Sequence, residues 1–331
     1  DLRAEGRCVM LGNLSKTFKS ERGPIHAVNQ ANFTMYEGQI LSLLGHNGAG
    51  KTTLSNMLVG KLAPSQGEVY IGGHPVSTDM ATIRGSLGVC PQHNILFPNL
   101  TVKEHFRIYA GVKGLPANEA ETKITEMIAE VGLTPKTHTL SKSLSGGMKR
   151  KLHLGIALLG DSKLVVLDEP TSGQDPYSRT FTWKTIERHR EGRTIILTTH
   201  YMDEADLLGD RIAIMSEGKL KCIGSSLFLK KIFGVGYQMT IEKADDGDEA
   251  KRLEVVSIVA RHVPSAEVLS DVGTEIMLQL PLAASPNFQR MLAELEASAE
   301  RLGIVNVGIS VTSLENVFLR VAEGAENVFE R

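Results

Sequence analysis

The sequence predicts an α/β domain followed by a smaller α+β domain, on three observations. Short apolar runs end at polar or glycine-rich turns, which suits central strands of a sheet covered on both faces. A glycine-rich loop, Gly45-His46-Asn47-Gly48-Ala49-Gly50-Lys51-Thr52-Thr53, follows one such run and precedes a helical stretch. Beyond about residue 231 the texture changes to alternating apolar positions separated by helical stripes. The 331 residues suffice for one large domain or two ordinary ones, and 42% hydrophobic with 22% charged residues is an ordinary globular mix.

In chain order, Val9 and Val69-Tyr70-Ile71 predict short early strands. Ile40-Leu41-Ser42-Leu43-Leu44 predicts a strand ending at the glycine-rich loop, with a helix over residues 53–62. Residues 98–160 read as a mostly helical insert: Ile124, Met127, Ile128 and Val131 follow helical spacing, as do Leu152, Ile156 and Leu159. The runs at 164–167 and 194–197 predict further central strands. Gly234-Val235-Gly236 then breaks the pattern, and Tyr237, Met239 and Ile241 alternate as one strand face. An acidic turn, Asp245-Asp246-Gly247-Asp248, precedes a helical stretch ending near Val263. Val268-Leu269 predicts a strand, and Ile276, Leu278 and Leu280 another. Phe288, Met291, Leu292, Leu295 and Leu302 form a helical stripe, and Val305, Val307, Ile309 and Val311 alternate once more. The order is βαββαβ, a split-βαβ or ferredoxin-like arrangement. Leu314, Val317, Phe318 and Val321 mark a closing helix.

Bulk properties exclude several classes. The net charge of −2 makes no bulk case for nucleic acid, and none is expected as a partner. Cys8, Cys90 and Cys222 form no CxxC pair, and their odd number argues against a disulfide framework, so free thiols in a reducing compartment are expected. No run approaches the ~18 apolar residues that would span a bilayer. No apolar signal segment opens the chain. Asp1 in place of Met predicts a chain cut from a longer one. Any membrane role is then expected to come from a partner or from a segment outside these residues.

The loop at 45–53 fits GxxxxGK[ST], the pattern of a P-loop. A phosphate chain carries several negative charges, and backbone N–H groups must turn inward to meet them. Glycines permit the dihedral angles and the close approach. The following helix adds its N-terminal N–H groups and the positive end of its dipole. Gly45, Asn47, Gly48, Ala49, Gly50, Lys51, Thr52 and Thr53 are therefore candidate nucleotide contacts, with ATP and Mg²⁺ as expected cofactors. Lys51 reaches the β- and γ-phosphates, and the Thr52 hydroxyl binds Mg²⁺.

Leu164-Val165-Val166-Leu167-Asp168-Glu169 is an apolar strand ending in two acids. A buried strand delivers its last residues at the sheet's carboxyl edge, where ligands sit in open α/β sheets. Asp168 can hold Mg²⁺ through water there, and Glu169 can polarise an attacking water. Thr198-Thr199-His200 ends the next apolar run, so His200 is placed to contact the γ-phosphate and orient that water.

Leu144-Ser145-Gly146-Gly147-Met148 resembles the LSGGQ signature of ABC ATPases, with Met148 in place of Gln. It stands in the helical insert between the phosphate loop and the Asp168-Glu169 strand, as in that family. Gln92 in Cys90-Pro91-Gln92-His93 resembles the family's Q-loop glutamine, a contact to Mg²⁺ and nucleotide. Ser172-Gly173-Gln174-Asp175 resembles the D-loop, with Gln174 replacing a commonly apolar residue. Phe18 stands where the family stacks an aromatic ring on adenine. Gly88-Val89-Cys90-Pro91-Gln92-His93-Asn94-Ile95-Leu96-Phe97, Asp203-Glu204-Ala205-Asp206 with Gly209-Asp210-Arg211-Ile212-Ala213-Ile214, and Gly224-Ser225-Ser226-Leu227-Phe228-Leu229-Lys230 are similar to the A subfamily of ABC transporters, in particular to the first of its two nucleotide-binding domains. Thr312-Ser313-Leu314-Glu315-Asn316-Val317-Phe318-Leu319 resembles the end of its regulatory domain.

The resemblance implies an ATPase domain over 1–231, with its helical subdomain at about 93–160, and a regulatory domain over 232–331. It implies ATP hydrolysis coupled to transport, mostly of lipids, at the cytosolic face of a membrane. Its expected partners are transmembrane domains and a second nucleotide-binding domain that sandwiches two ATPs head to tail. Ser145, Gly146 and Gly147 then contact the γ-phosphate held by the partner's loop, and the segment 92–100 passes motion to a membrane helix. Two alternatives stay open: a nucleotide-gated module with little hydrolysis, or a soluble ABC ATPase acting on ribosomes or DNA. The latter usually carries two motor domains or a coiled-coil insert.

Overall fold

In the computed structural model, residues 5–21, 23–233, 236–244, 249–311, 313–322 and 328–329 are described. The expected acidic turn at 245–248, Gly234-Val235 of the expected break and Thr312 of the tail motif lie outside them. The chain divides into two compact units, Asp1–Ser226 with Glu326–Arg331, and Leu227–Ala325.

In the first unit the strands are β1 (Cys8–Phe18), β2 (Ile25–Tyr36), β3 (Ile40–Leu44), β4 (Gln66–Ile71), β5 (His74–Pro75), β6 (Leu87–Cys90), β7 (Leu164–Asp168), β8 (Thr194–Thr199), β9 (Arg211–Ser216) and β10 (Lys219–Gly224). One sheet runs Val328–Phe329, β10, β9, β3, β8, β7, β6, and the five strands from β9 to β6 are mutually parallel. Every residue of β3, β7 and β8 is buried, as expected of strands covered on both faces. A second, antiparallel sheet runs β2, β1, β4, β5.

The expected short strand at Val9 is in fact eleven residues long and pairs with the twelve-residue β2, which the apolar pattern did not predict. Asn13 and Gln30 take φ of 49° and 51°, and the β1–β2 register shifts three times. These bulges break the period-two alternation by which such strands are recognised. The helix after the glycine-rich loop spans Lys51–Leu58 rather than 53–62. Gly60 at φ 68° ends it in the left-handed geometry of a helix C-terminus.

The insert is helical at Val102–Val112, Ala117–Glu130 and Gly146–Leu158. Thr101 opens the first of these with a reciprocal capping box to Glu104. Ile124, Met127, Ile128, Val131, Leu152, Ile156 and Leu159 are buried in one cluster with Val165, Leu167 and Ile195 of the sheet.

In the second unit, β11 (Tyr237–Lys243), β12 (Glu267–Val272), β13 (Glu275–Leu280) and β14 (Ile304–Val311) form an antiparallel sheet in the order β12-β13-β11-β14. Helices Glu249–His262 and Phe288–Ala297 supply the βαββαβ order. Met239, Ile241, Ile276, Leu278 and Leu280 pack with Val255, Ile258, Met291 and Leu295 of those helices. On the edge strand β14, Val305 and Val311 stay exposed. The closing helix spans Leu314–Ala322 and buries Leu314, Val317, Phe318 and Val321.

Candidate nucleotide site

β6, β7, β8 and β3 are consecutive parallel neighbours, with Cys90 opposite Leu167, Asp168 opposite Thr198 and Leu44 opposite Thr199. The turns that follow these strands therefore open side by side on the carboxyl edge of the sheet. They carry Gln92, Glu169, His200 and the loop 45–53.

The loop turns tightly enough to need its glycines. Gly48 and Gly50 take φ of 82° and 103°. A Cβ on Gly50 would lie 2.2 Å from the Ala27 carbonyl oxygen, and one on Gly45 2.6 Å from that of Met215. Asn47 and Gly48 are exposed at the tip, Ala49 is buried, and Gly50 is the N-cap of the helix Lys51–Leu58. Thr52 is exposed and Thr53 half-buried on its first turn. Lys51 is buried and folds back over the loop, its Nζ donating to the carbonyls of Gly45 (2.6 Å) and His46 (3.1 Å). Burial pushes its ammonium below the usual lysine range, while the charges of Glu169 and Asp168 pull it back up.

Asp168 is buried at the end of β7 and accepts a short hydrogen bond from the Thr198 hydroxyl. Glu169 has φ 50°, rare for a residue with a side chain, and its N–H donates to the Thr198 carbonyl at 3.0 Å. That twist sets its carboxylate between two neighbours. Gln92 Nε2 donates to Oε2 at 3.4 Å, and His200 Nδ1 lies 3.3 Å from Oε1. His200 also stacks on Tyr201, with centroids 4.1 Å apart, and the Arg179 guanidinium lies 4.1 Å from the Tyr201 ring.

Ser145 is the N-cap of the helix Gly146–Leu158 and accepts from the Met148 N–H at 3.3 Å. A Cβ on Gly146 or Gly147 would meet nothing within 4 Å, so this helix start is open. Met148 packs partly buried against the helical cluster. Gln174 bridges its own loop, donating to the Pro170 carbonyl at 3.3 Å and accepting from Thr182 at 2.8 Å. An apolar residue there could make neither bond. Phe18 ends β1 opposite Ile25, 39% exposed, with the Lys16 ammonium 5.4 Å from its ring centroid. Its link to the loop runs through β2, where Ala27 crowds Gly50.

Three side chains of this region make contacts that the sequence reading did not assign. Thr198 binds both acids' turn and Asp168 itself. Glu204 is buried, and its Oε1 accepts from Thr171 and Trp183, each at 2.8 Å. Arg150 is 3% exposed beneath the turns after β6 and β7. The available signal for Arg150 was a charge in helical register with buried Leu154 and Ala157.

Such a loop, paired acids at a strand end and a serine-glycine helix start define the nucleotide-binding cassette of an ABC transporter. The family model described as ABC transporter matches residues 28–172, and one described as an ACT-like domain matches 237–314. The chain is 48% identical over 315 residues to Phospholipid-transporting ATPase ABCA3 of Homo sapiens, covering 95% of this chain and 18% of that protein. It is 46% identical over 318 residues to ATP-binding cassette sub-family A member 17 of Rattus norvegicus, covering 96% and 18%. The chain therefore belongs to the A subfamily of ABC transporters, and it spans about a fifth of the length of these relatives. Its fold also matches the dimeric structure of a post-hydrolysis state of the ATP-binding cassette MJ0796 bound to ADP and Pi, with a TM-score of 0.62, 25% identity, and 66% of this chain and 98% of that one covered. Among the described residues no helix is long and apolar enough to cross a membrane.

Proposed function

We propose that this chain is the cytosolic motor part of a lipid transporter, in which ATP hydrolysis at the 45–53 loop drives movement of a lipid across a membrane. It corresponds in this reading to the first nucleotide-binding domain, residues 1–231, with its regulatory domain, 232–331. The observation that carries the reading is the seating of Glu169 between Gln92 and His200, at the strand end beside the phosphate loop. A carboxylate so placed can polarise a water aimed at the terminal phosphate. His200 can orient that water and contact the phosphate. The loop's N–H groups, Lys51 and the start of the following helix cradle the phosphate chain.

The oxygen donors of Thr52, Gln92 and Asp168 suit Mg²⁺. A hard cation prefers oxygen, and a set with one carboxylate leaves positions for water and the nucleotide's phosphates. Mg²⁺ supplies positive charge beside the carboxylates and the phosphates. Phe18 offers a partly exposed ring to adenine. Ser145, Gly146 and Gly147 face outward with unencumbered backbone, which supports a role toward nucleotide held by a second nucleotide-binding domain. The names of the relatives support a phospholipid as cargo. Moving a lipid across a bilayer in turn calls for transmembrane domains as partners, since no described helix of this chain is long and apolar enough to cross one.

In the full-length protein, Glu169→Gln is expected to abolish phosphate release from this site while ATP still binds. Turnover equal to the parent would remove Glu169 from the reaction. Reconstitution in vesicles, with phosphate release measured as phospholipid headgroups are varied, tests the cargo; a rate indifferent to every lipid tried would count against it.

A further inference from the structure

We propose that Arg150 is a positioning residue: it ties the helix bearing Ser145–Gly147 to the two turns bearing Gln92 and Glu169, so that the three move as one body. The inference rests on the reading of Glu169 and Ser145 given above.

A guanidinium has five N–H groups and no acceptor. In Arg150 all five meet backbone carbonyls. Nε donates to Pro170 at 3.2 Å. Nη1 donates to Pro91, in a short bond, and to Gln92 at 3.2 Å. Nη2 donates to Asp168, again in a short bond, and to Glu169 at 2.7 Å. Two acceptors thus belong to the turn after β6, and three consecutive ones to the last residue of β7 and the turn that follows it. Three successive carbonyls can converge on one planar group only if the chain curls, and Glu169 at φ 50° is where it curls. The buried charge is met by peptide dipoles on both sides.

The consequence is directional. Ser145 stands five positions before Arg150 on the same helix, more than one turn away. A shift of that helix when an anion seats at its start pulls the Arg150 fork. The fork pulls the carbonyls that frame Gln92 and Glu169. Occupancy of the partner's nucleotide is thereby reported to the water-polarising carboxylate of this chain's own site. Lysine cannot substitute: its ammonium has three donors on a point charge, too few and too compact to span two turns.

Two measurements test this on Arg150→Lys. The first is amide hydrogen exchange on the full 331-residue chain, which needs no hydrolysis. Exchange is expected to rise at the amides of Gln92, Asp168 and Glu169 together, with 45–53 unchanged, Pro91 and Pro170 having no N–H to report. Unchanged exchange at the two turns, or a rise across the whole unit, overturns the proposal. The second is steady-state phosphate release by the full-length protein, as single variants and combined with Glu169→Gln. A ~1 Å misplacement of a catalytic group costs on the order of 100-fold. So kcat from this site should fall by at least about tenfold with KM within roughly twofold. Glu169→Gln is expected to leave no turnover at this site, so the double variant should match it. A wild-type kcat in Arg150→Lys overturns the proposal. If Glu169→Gln itself leaves turnover intact, the functional reading fails, and the exchange experiment still decides the tie. Should the lysine variant not fold, Arg150→Gln, which removes the buried charge, carries the same measurements.

Discussion

Glu204 offers the sharpest test of how the region behind the site is held. Its carboxylate is buried, and Oε1 takes hydrogen bonds from Thr171, just after the acid pair, and from Trp183, two turns along the helix Pro176–Arg188. Replacing it with leucine strands both donors. A buried unsatisfied donor costs about 1–3 kcal/mol. Thr171 is fully buried and should show most of that, whereas Trp183 is only partly buried and its N–H can find water. Leucine also removes a carboxylate that was costly to bury, which offsets part of this, so the net loss should be about 1–2 kcal/mol. Glu204→Gln keeps the acceptor and removes the charge, and should be close to neutral at pH 7. Burial pushes the Glu204 carboxyl above its ordinary range, against the pull of its hydrogen-bond donors and the Arg179 charge. The native state therefore holds this proton more tightly than the unfolded chain does. The corresponding stability is fully present below the ordinary carboxylate value and is lost as pH rises from there through the raised native value. Glu204→Gln should flatten that part of the profile. The assay is urea unfolding between pH 4 and 8, followed by the fluorescence of Trp183, the chain's single tryptophan. A leucine variant with the parent's midpoint, or a glutamine variant with the parent's pH slope, would refute the reasoning.

Lys51→Ala should weaken ATP binding itself, by roughly tenfold or more, since it removes the cation that spans the loop; equilibrium titration with a fluorescent ATP analogue measures this, and unchanged affinity would count against the cradle. Gly50→Ala should unseat the loop and lower stability by at least about 1–2 kcal/mol, because the new methyl meets the Ala27 carbonyl at 2.2 Å with φ at 103°; thermal unfolding checks it, and a parental Tm with parental ATP affinity would show that the loop is not held as described.

The phosphate loop, the acid-ended strand and Thr198-Thr199-His200 were legible because each is local: an apolar run, then the residues its end must deliver. The helical insert and the βαββαβ order were legible for the same reason, through periods of 3.6 and 2. What escaped depends on partners far along the chain. Arg150 reads as part of a charged run, Met148-Lys149-Arg150-Lys151, until the turns 58 and 18 residues away bring carbonyls to it. Glu204 reads as one more acid of Asp203-Glu204-Ala205-Asp206, and its burial is decided by Thr171 and Trp183. β2 escaped because the bulge at Gln30 resets its alternation midway. Gln174, a departure from the resembled D-loop, is explained only once Thr182 and the Pro170 carbonyl stand on either side of its amide.

The bond between the Met148 N–H and the Ser145 hydroxyl has a consequence for selectivity. One lone pair of that oxygen is spent inside the helix, which leaves its O–H able to point outward beside the N–H groups of Gly146 and Gly147, which have no partner within the helix. The helix start thus shows the outside a row of donors. In the proposed role, an oxygen of an anion can accept from several of these donors at once, whereas a hydrocarbon finds no partner among them. One capping hydrogen bond thus biases this end of the helix toward acceptors.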